Sequence, residues 1–269
     1  FRSCPNLTSI TIPASVTSIG IHSIAGCNNL ETITVAADNA VYHSAGNCLI
    51  ETAAKKLISG CKTSVIPTDG SVEIIGTRAF REIATLTSIV IPESVTTIDS
   101  YAFVYCTGLE SIVIPAGVTS IGEYAFHGCA ALKSVTLPES LTTLGKSAFR
   151  ECTILESINI PSGVTSIGQS AFNNCYYLAS ATLPNSVTTI SQAAFNNCAS
   201  LTSITIPSGV TSIGIMAFSR CTGLTSIDIP NGVTTIGNSA FSGCSGLTSA
   251  TIGSGVTTIG SQAFDGCRA

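Results

Sequence analysis

The chain has 269 residues, a formal net charge of −4, and 10% charged against 45% hydrophobic residues. Charge this sparse and slightly acidic excludes the clustered Lys/Arg face that nucleic-acid binding needs, and it leaves the surface to be built from Ser, Thr, Asn and Gly. No apolar run approaches the roughly 18 residues of a membrane span, so none is expected.

The first residues, FRSCPNL, enter in the middle of a pattern: Phe1 and Cys4 stand where later units carry Phe and Cys. The sequence therefore reads as a fragment of a longer protein, with any signal peptide or anchor outside it. Residues 7–29, LTSITIPASVTSIGIHSIAGCNN, form the first complete unit, with Ile24 in the place of Phe. Leu30 opens a second, but Ala36 replaces its Pro and the pattern breaks. Residues 37–60 read as an insertion. Two short apolar runs, Cys48-Leu49-Ile50 and Leu57-Ile58, flank the polar ETAAKK, which is the layout of a β-hairpin with a longer loop. Lys55 and Lys56 at its tip are the only adjacent lysines in the chain. A solvated tip is the ordinary reading, and a partner contact the functional one.

The pattern returns with Cys61 in the Leu position, followed by Ile66-Pro67, Ile75-Gly76 and Ala79-Phe80. From Leu86 a leucine recurs every 23 residues, at Leu109, Leu132, Leu155, Leu178, Leu201, Leu224 and Leu247. The consensus is L-x-S-I-x-I-P-x-x-V-T-x-I-G-x-x-A-F-x-x-C-x-x. Self-similarity at a fixed period of this length is the signature of a solenoid. One such unit cannot bury its apolar face alone, so stability belongs to the stack. The spacing predicts one right-handed domain over 1–269, with regular repeats at 1–36 and 61–269 and about eleven turns. I-x-I-P is a short parallel strand with Ile112 and Ile114 inward and Ser111 and Val113 outward, closed by Pro115. V-T-x-I-G is an arc or second short strand whose Gly suits a turn. A-F-x-x-C is expected to form one helical or 3₁₀ turn.

Eight of the 12 cysteines recur at that period, from Cys106 to Cys267. Stacked equivalents lie about 4.8 Å apart with parallel side chains, whereas a disulfide wants Cβ atoms about 3.8 Å apart and facing each other. The column therefore reads as buried, reduced, small hydrophobes. There is no C-x-x-C pair and no His at ligand spacing, so neither a metal nor a cofactor is expected. His22 and His127 fall on variable loop positions far apart along the stack and are expected to be exposed; His43 lies in the insertion. No Ser is accompanied by a local His and carboxylate, so the chain does not read as an enzyme.

The outer face of the strands is more informative. One column runs Ser9, Thr32, Thr63, Ser88, Ser111, Ser134, Ser157, Ser180, Ser203, Ser226 and Ser249. The other runs Thr11, Thr34, Val65, Val90, Val113, Thr136, Asn159, Thr182, Thr205, Asp228 and Thr251. The bland reading is a solvated sheet of small β-formers. The functional reading is a broad, nearly uncharged binding surface of the kind solenoids use, with Val113, Thr136, Asn159, Thr182, Thr205 and Asp228 as candidate contacts and Lys55 and Lys56 as a second candidate site. A further column, from Thr96 to Thr257, is unbroken Thr and raises the alternative of an ice-binding solenoid, unless its hydroxyls serve backbone groups.

The motif I-x-I-P-x-x-V-T-x-I-G-x-x-A-F-x-x-C resembles the BspA-like, or Treponema pallidum type, leucine-rich repeats over essentially the whole chain. The insertion resembles one common in that family, through Asn39, Tyr42, Ser44, Gly46, Leu49, Ile50, Lys56, Leu57 and Ile58. The departures are Ile24 for Phe, Ile83 for Cys, and Ala36 and Gly253 for Pro. The resemblance implies a leucine-rich-repeat solenoid with one β-hairpin insertion. It also implies an extracellular or cell-surface protein of host-associated bacteria or trichomonad protists, without catalytic residues. The expected role is monomeric binding or adhesion to a host or matrix protein or a glycan, with a structural spacer in a larger surface protein as the alternative.

Overall fold

The computed structural model describes residues 1–268. Among them are twenty short strands and no helix. Each regular unit supplies two strands. In the unit from Leu109 these are Ser111–Val113 and Ser120–Ile121. In the first, Ser111 and Val113 are exposed and Ile112 is buried, the period-2 alternation of a half-buried strand.

Neighbouring turns pair in parallel at the 23-residue offset of the sequence: Ser134 faces Ser111, and Thr136 faces Val113. The second strands build long ladders. One sheet of seven strands runs from Leu144 back through Ile121, Ile98 and Ile75 into the insertion, and another of five runs from Ser166 to Ile259. The first strands pair only in twos, as in Ser157–Asn159 with Ser180–Thr182. Pro115 and its equivalents end these strands along the chain, because they offer no N–H to continue the pairing.

The A-F-x-x-C stretch departs from the expected helical turn. It keeps i→i+3 bonds, such as Val104 N–H to Tyr101 O and Cys106 N–H to Phe103 O (both 3.1 Å). However, Tyr101 and Tyr105 have φ of 63° and 58°. These left-handed residues turn alternate N–H groups along the solenoid axis, where Tyr101, Phe103 and Tyr105 donate to Glu123, Ala125 and His127 of the next turn at 2.7–2.8 Å. A continuous helix would direct those donors into its own axis. The same two columns have positive φ from Arg78 and Glu82 to Gln262 and Gly266. A non-Gly residue there costs about 1–2 kcal/mol, offset by the inter-turn bonds, which satisfy donors that would otherwise be unpaired.

The core is columnar. Phe80, Phe103, Phe126, Phe149, Phe172, Phe195, Phe218, Phe241 and Phe264 stack with centroids 5.0–5.8 Å apart and ring planes within 13°. All but the last are fully buried. Near-parallel rings at this separation lie in the range that aromatic pairs favour, and the repeat carries the geometry from turn to turn. The glycine of I-G-x-x-A-F serves close packing rather than a left-handed turn: a Cβ on Gly145 would lie 2.4 Å from the carbonyl carbon of Gly122 one turn away.

The insertion contains the expected hairpin and adds a strand before it. Tyr42–Ala45 pairs antiparallel with Cys48–Glu51, which pairs antiparallel with Lys56–Ser59. The last of these pairs in parallel with Ile74–Ile75, so the insertion is stitched into the seven-stranded sheet. Cys48, Leu49, Ile50 and Leu57 are fully buried. The insertion supplies no A-F segment on the opposite side. There residues 26–28 stack directly on 81–84, through Gly26 N–H to Arg81 O (3.2 Å) and Ala84 N–H to Asn28 Oδ1 (2.8 Å). The chain therefore skips one layer on that side and leaves a seam.

Candidate binding face

The two outer strand columns form one continuous surface. Every residue from Ser9 to Ser249 in the first column and from Thr11 to Thr251 in the second is exposed. Val113, Thr136, Asn159, Thr182, Thr205 and Asp228 thus share one face on successive turns. Alternation alone placed them there: the intervening Ile residues take the core and leave these positions outside. Within this face the structure shows an apolar stripe. Val65, Val90 and Val113, on adjacent turns, are 71%, 81% and 66% exposed. Three exposed β-branched hydrophobes in register are more than the scattered single residues of an ordinary surface. The stripe could have been read from the unbroken Val run in the column.

The Thr column is committed elsewhere. Thr142, Thr188, Thr211, Thr234 and Thr257 each donate the side-chain hydroxyl to the carbonyl of the Thr one turn before, at 3.2–3.3 Å. Back-bonding of this kind serves the stack and leaves no ordered row of free donors for a lattice of water.

The insertion lysines are also occupied. Lys55 pairs with Glu73, and Lys56 Nζ lies 2.7 Å from Asp99. The structure holds them 18 and 43 residues from those partners in sequence, which is why the sequence showed only a basic tip.

His127 differs from its expected exposure. It is only 7% exposed, enclosed by Tyr105 and Tyr124 at centroid distances of 4.9 and 5.7 Å. Its Nδ1 lies 3.0 Å from the Arg150 carbonyl and its Nε2 3.0 Å from the Tyr105 hydroxyl. Because a carbonyl only accepts, Nδ1 carries a proton and donates it to Arg150 O. His43, in the insertion, bonds Thr52 at 2.8 Å.

The cysteine column is buried and reduced, with only Cys4 and Cys267 partly exposed. Burial pushes the Cys106 thiol up to about 12 and moves Cys129, Cys152, Cys198 and Cys221 well above the ordinary thiol range. Such thiols are poor nucleophiles and poor metal ligands, since both roles need the thiolate. Among the described residues no three His, Cys, Asp or Glu side chains converge on a possible metal position, and no helix is long and apolar enough to cross a membrane.

A family model described as BspA type leucine-rich repeat region matches in six copies, over residues 1–54, 51–179 and 148–269. A leucine-rich repeat protein from Eubacterium ventriosum is 30% identical with a TM-score of 0.72, over 79% of this chain and 58% of that one. The chain thus spans less than two thirds of that relative's length. A leucine-rich cell surface protein from Faecalibacterium prausnitzii is 31% identical over 97% of this chain and 77% of its own, with a TM-score of 0.47. The T. pallidum leucine-rich repeat protein is 22% identical over 81% of this chain and 78% of its own, with a TM-score of 0.48. No curated protein matches the chain.

Proposed function

The chain belongs to the BspA-type leucine-rich-repeat family, and from that premise we propose that it is an extracellular binding module that adheres to protein or glycan through its outer strand face. The observation that carries this reading is the pair of exposed, nearly uncharged columns, with the Val65–Val90–Val113 stripe inside them. Such a face offers apolar area and hydroxyls repeated at one-turn spacing, which suits an extended partner contacting several turns at once. Thr136, Asn159, Thr182, Thr205 and Asp228 continue it beyond the stripe. Lys55 and Lys56 form a secondary element of the proposal, ranked lower because each charge is already compensated by Glu73 or Asp99.

The test is adhesion of immobilised protein to matrix proteins, a glycan array and host cells. Thr182→Lys with Thr205→Lys places two charges on adjacent turns of the face and is expected to abolish adhesion with the melting temperature unchanged. Deletion of residues 52–56 examines the insertion tip. If the parent binds nothing on these panels, or if both variants bind as the parent does, the adhesion reading fails and a spacer role takes its place.

A further inference from the structure

At the seam left by the insertion lies a cavity of about 180 Å³. Residues 19–25 form one wall, and Lys56, Ile58, Ser59 and Gly76 to Arg78 form the other, with Glu51 between them. A regular stack would fill this space with an A-F segment. Here the skipped layer leaves it lined in about equal part by polar side chains and by apolar ones such as Ile19, Ile21, Ile24 and Ile58.

Four buried side-chain atoms among the described residues lack a hydrogen-bond partner, and two of them belong to residues lining this one cavity: His22 Nδ1 and Arg78 Nε. Buried polar atoms are rarely left unpaired, and an unmade bond to a charged donor is the more costly kind. Arg78 is also held in place, with its guanidinium 4.4 Å above the Tyr101 ring. It has no carboxylate partner among the described residues, whereas Lys56 on the same wall is neutralised by Asp99. Burial, and then the cationic Arg78, Arg81 and Arg2, hold His22 below its ordinary range, so the imidazole is neutral near pH 7. The cavity thus presents one uncompensated guanidinium and a neutral imidazole, with Glu51, Ser59 and Thr77 available to hydroxyl groups.

We infer that this seam cavity binds a small hydroxylated carboxylate. One carboxylate oxygen accepts from the Arg78 guanidinium, a second oxygen of the ligand meets the His22 imidazole, and the hydroxyls reach Glu51, Ser59 or Thr77. A monoanion fits better than a phosphate dianion, because a single free cation shares the site with the Glu51 carboxylate. The ligand is either a free hydroxy acid or the terminal uronic acid of a glycan, which present the same groups. The site lies apart from the strand face, and the inference does not rest on the adhesion reading.

The test titrates the isotope-labelled full chain with gluconate, an oligosaccharide ending in glucuronate, inorganic phosphate and neutral sorbitol. The two carboxylates are expected to shift the amide signals of residues 22–25, 57–59 and 76–78, with phosphate and sorbitol without effect there. Binding of only the oligosaccharide assigns a glycan terminus; binding of only gluconate assigns a free acid. Arg78→Gln and His22→Ala should each weaken binding at least tenfold. Arg78→Lys keeps the charge but not the planar guanidinium, should weaken binding likewise, and serves as the test if the first two fail to fold. Absence of shifts with both carboxylates, equal binding of sorbitol or phosphate, or unchanged affinity in a folded variant overturns the inference.

Discussion

The thiol of Cys198 lies 3.2 Å from the carbonyl oxygen of Phe172, 26 residues earlier in the chain, and donates to it. The same carbonyl accepts the backbone N–H of Cys175 from its own turn, at 3.2 Å. Both lone pairs of a core carbonyl are thereby satisfied, one within the turn and one from the next. The relationship repeats from Cys106 onto Phe80 to Cys267 onto Phe241, at 2.9–3.3 Å. Cysteine is favoured in the column because it is small and apolar and carries a donor long enough to reach the adjacent turn.

This arrangement sets the chemistry of the thiols. Native protein should react quickly with a thiol reagent only at Cys4 and Cys267, the partly exposed residues, and the denatured chain at all 12. The pH dependence follows in sign. Folded Cys106 and Cys244 titrate at about 12, and an unfolded thiol near 8.5. Above that lower value the unfolded chain holds fewer protons than the native one, so stability falls as pH rises. Stability should be insensitive to these groups below about pH 8 and drop steeply between there and pH 12, as read by denaturant melts at graded pH. Substitution of Cys198 and Cys221 by Ala should make that alkaline slope shallower.

Phe172 is fully buried, with Phe149 and Phe195 stacked at 5.8 and 5.3 Å. Phe172→Ala should cost about 3–5 kcal/mol. Phe264, partly exposed at the end of the column, should lose less on the same change. Equal losses at the two positions, measured by urea unfolding, would contradict a core shared between turns.

Two glycines at equivalent positions should respond differently. A Cβ on Gly145 would meet backbone at 2.4 Å, whereas on Gly168 the nearest atom is 3.5 Å away, at Leu144 O. The difference coincides with the break between the sheets ending at Leu144 and beginning at Ser166. Gly145→Ala should therefore destabilise by about 1–3 kcal/mol. Gly168→Ala should be neutral or gain up to about 1 kcal/mol from the stiffer unfolded chain. Thermal melts of the two variants decide it.

Adhesion through an uncharged face should depend little on salt. Raising ionic strength from 50 to 500 mM should leave the affinity within about threefold, because screening acts only on charged contacts. Monovalent binding should be weak and rise steeply with surface density. Surface plasmon resonance at several densities measures both, and a strong salt slope would transfer the site to the insertion lysines.

From the sequence alone came the period and the division of each turn into buried and exposed positions. A 23-residue period with Ile112 and Ile114 alternating against Ser111 and Val113 specifies a parallel stack, its buried columns and its exposed face. Alternation and period are local properties, and adjacent turns inherit them without further information. The tertiary structure decided what depends on how one turn meets the next. Tyr101 and Tyr105 adopt left-handed φ because their N–H groups find carbonyls one turn away, where local propensity pointed to a helical turn. Gly145 is required by the backbone of Gly122, not by its own turn. The Arg150 carbonyl and the Tyr105 hydroxyl bury His127 against a neighbouring turn. The seam beside His22 and Arg78 exists because an insertion that joins the sheet on one side leaves a layer missing on the other. Contacts across that seam join residues more than fifty positions apart, beyond anything a repeat pattern encodes.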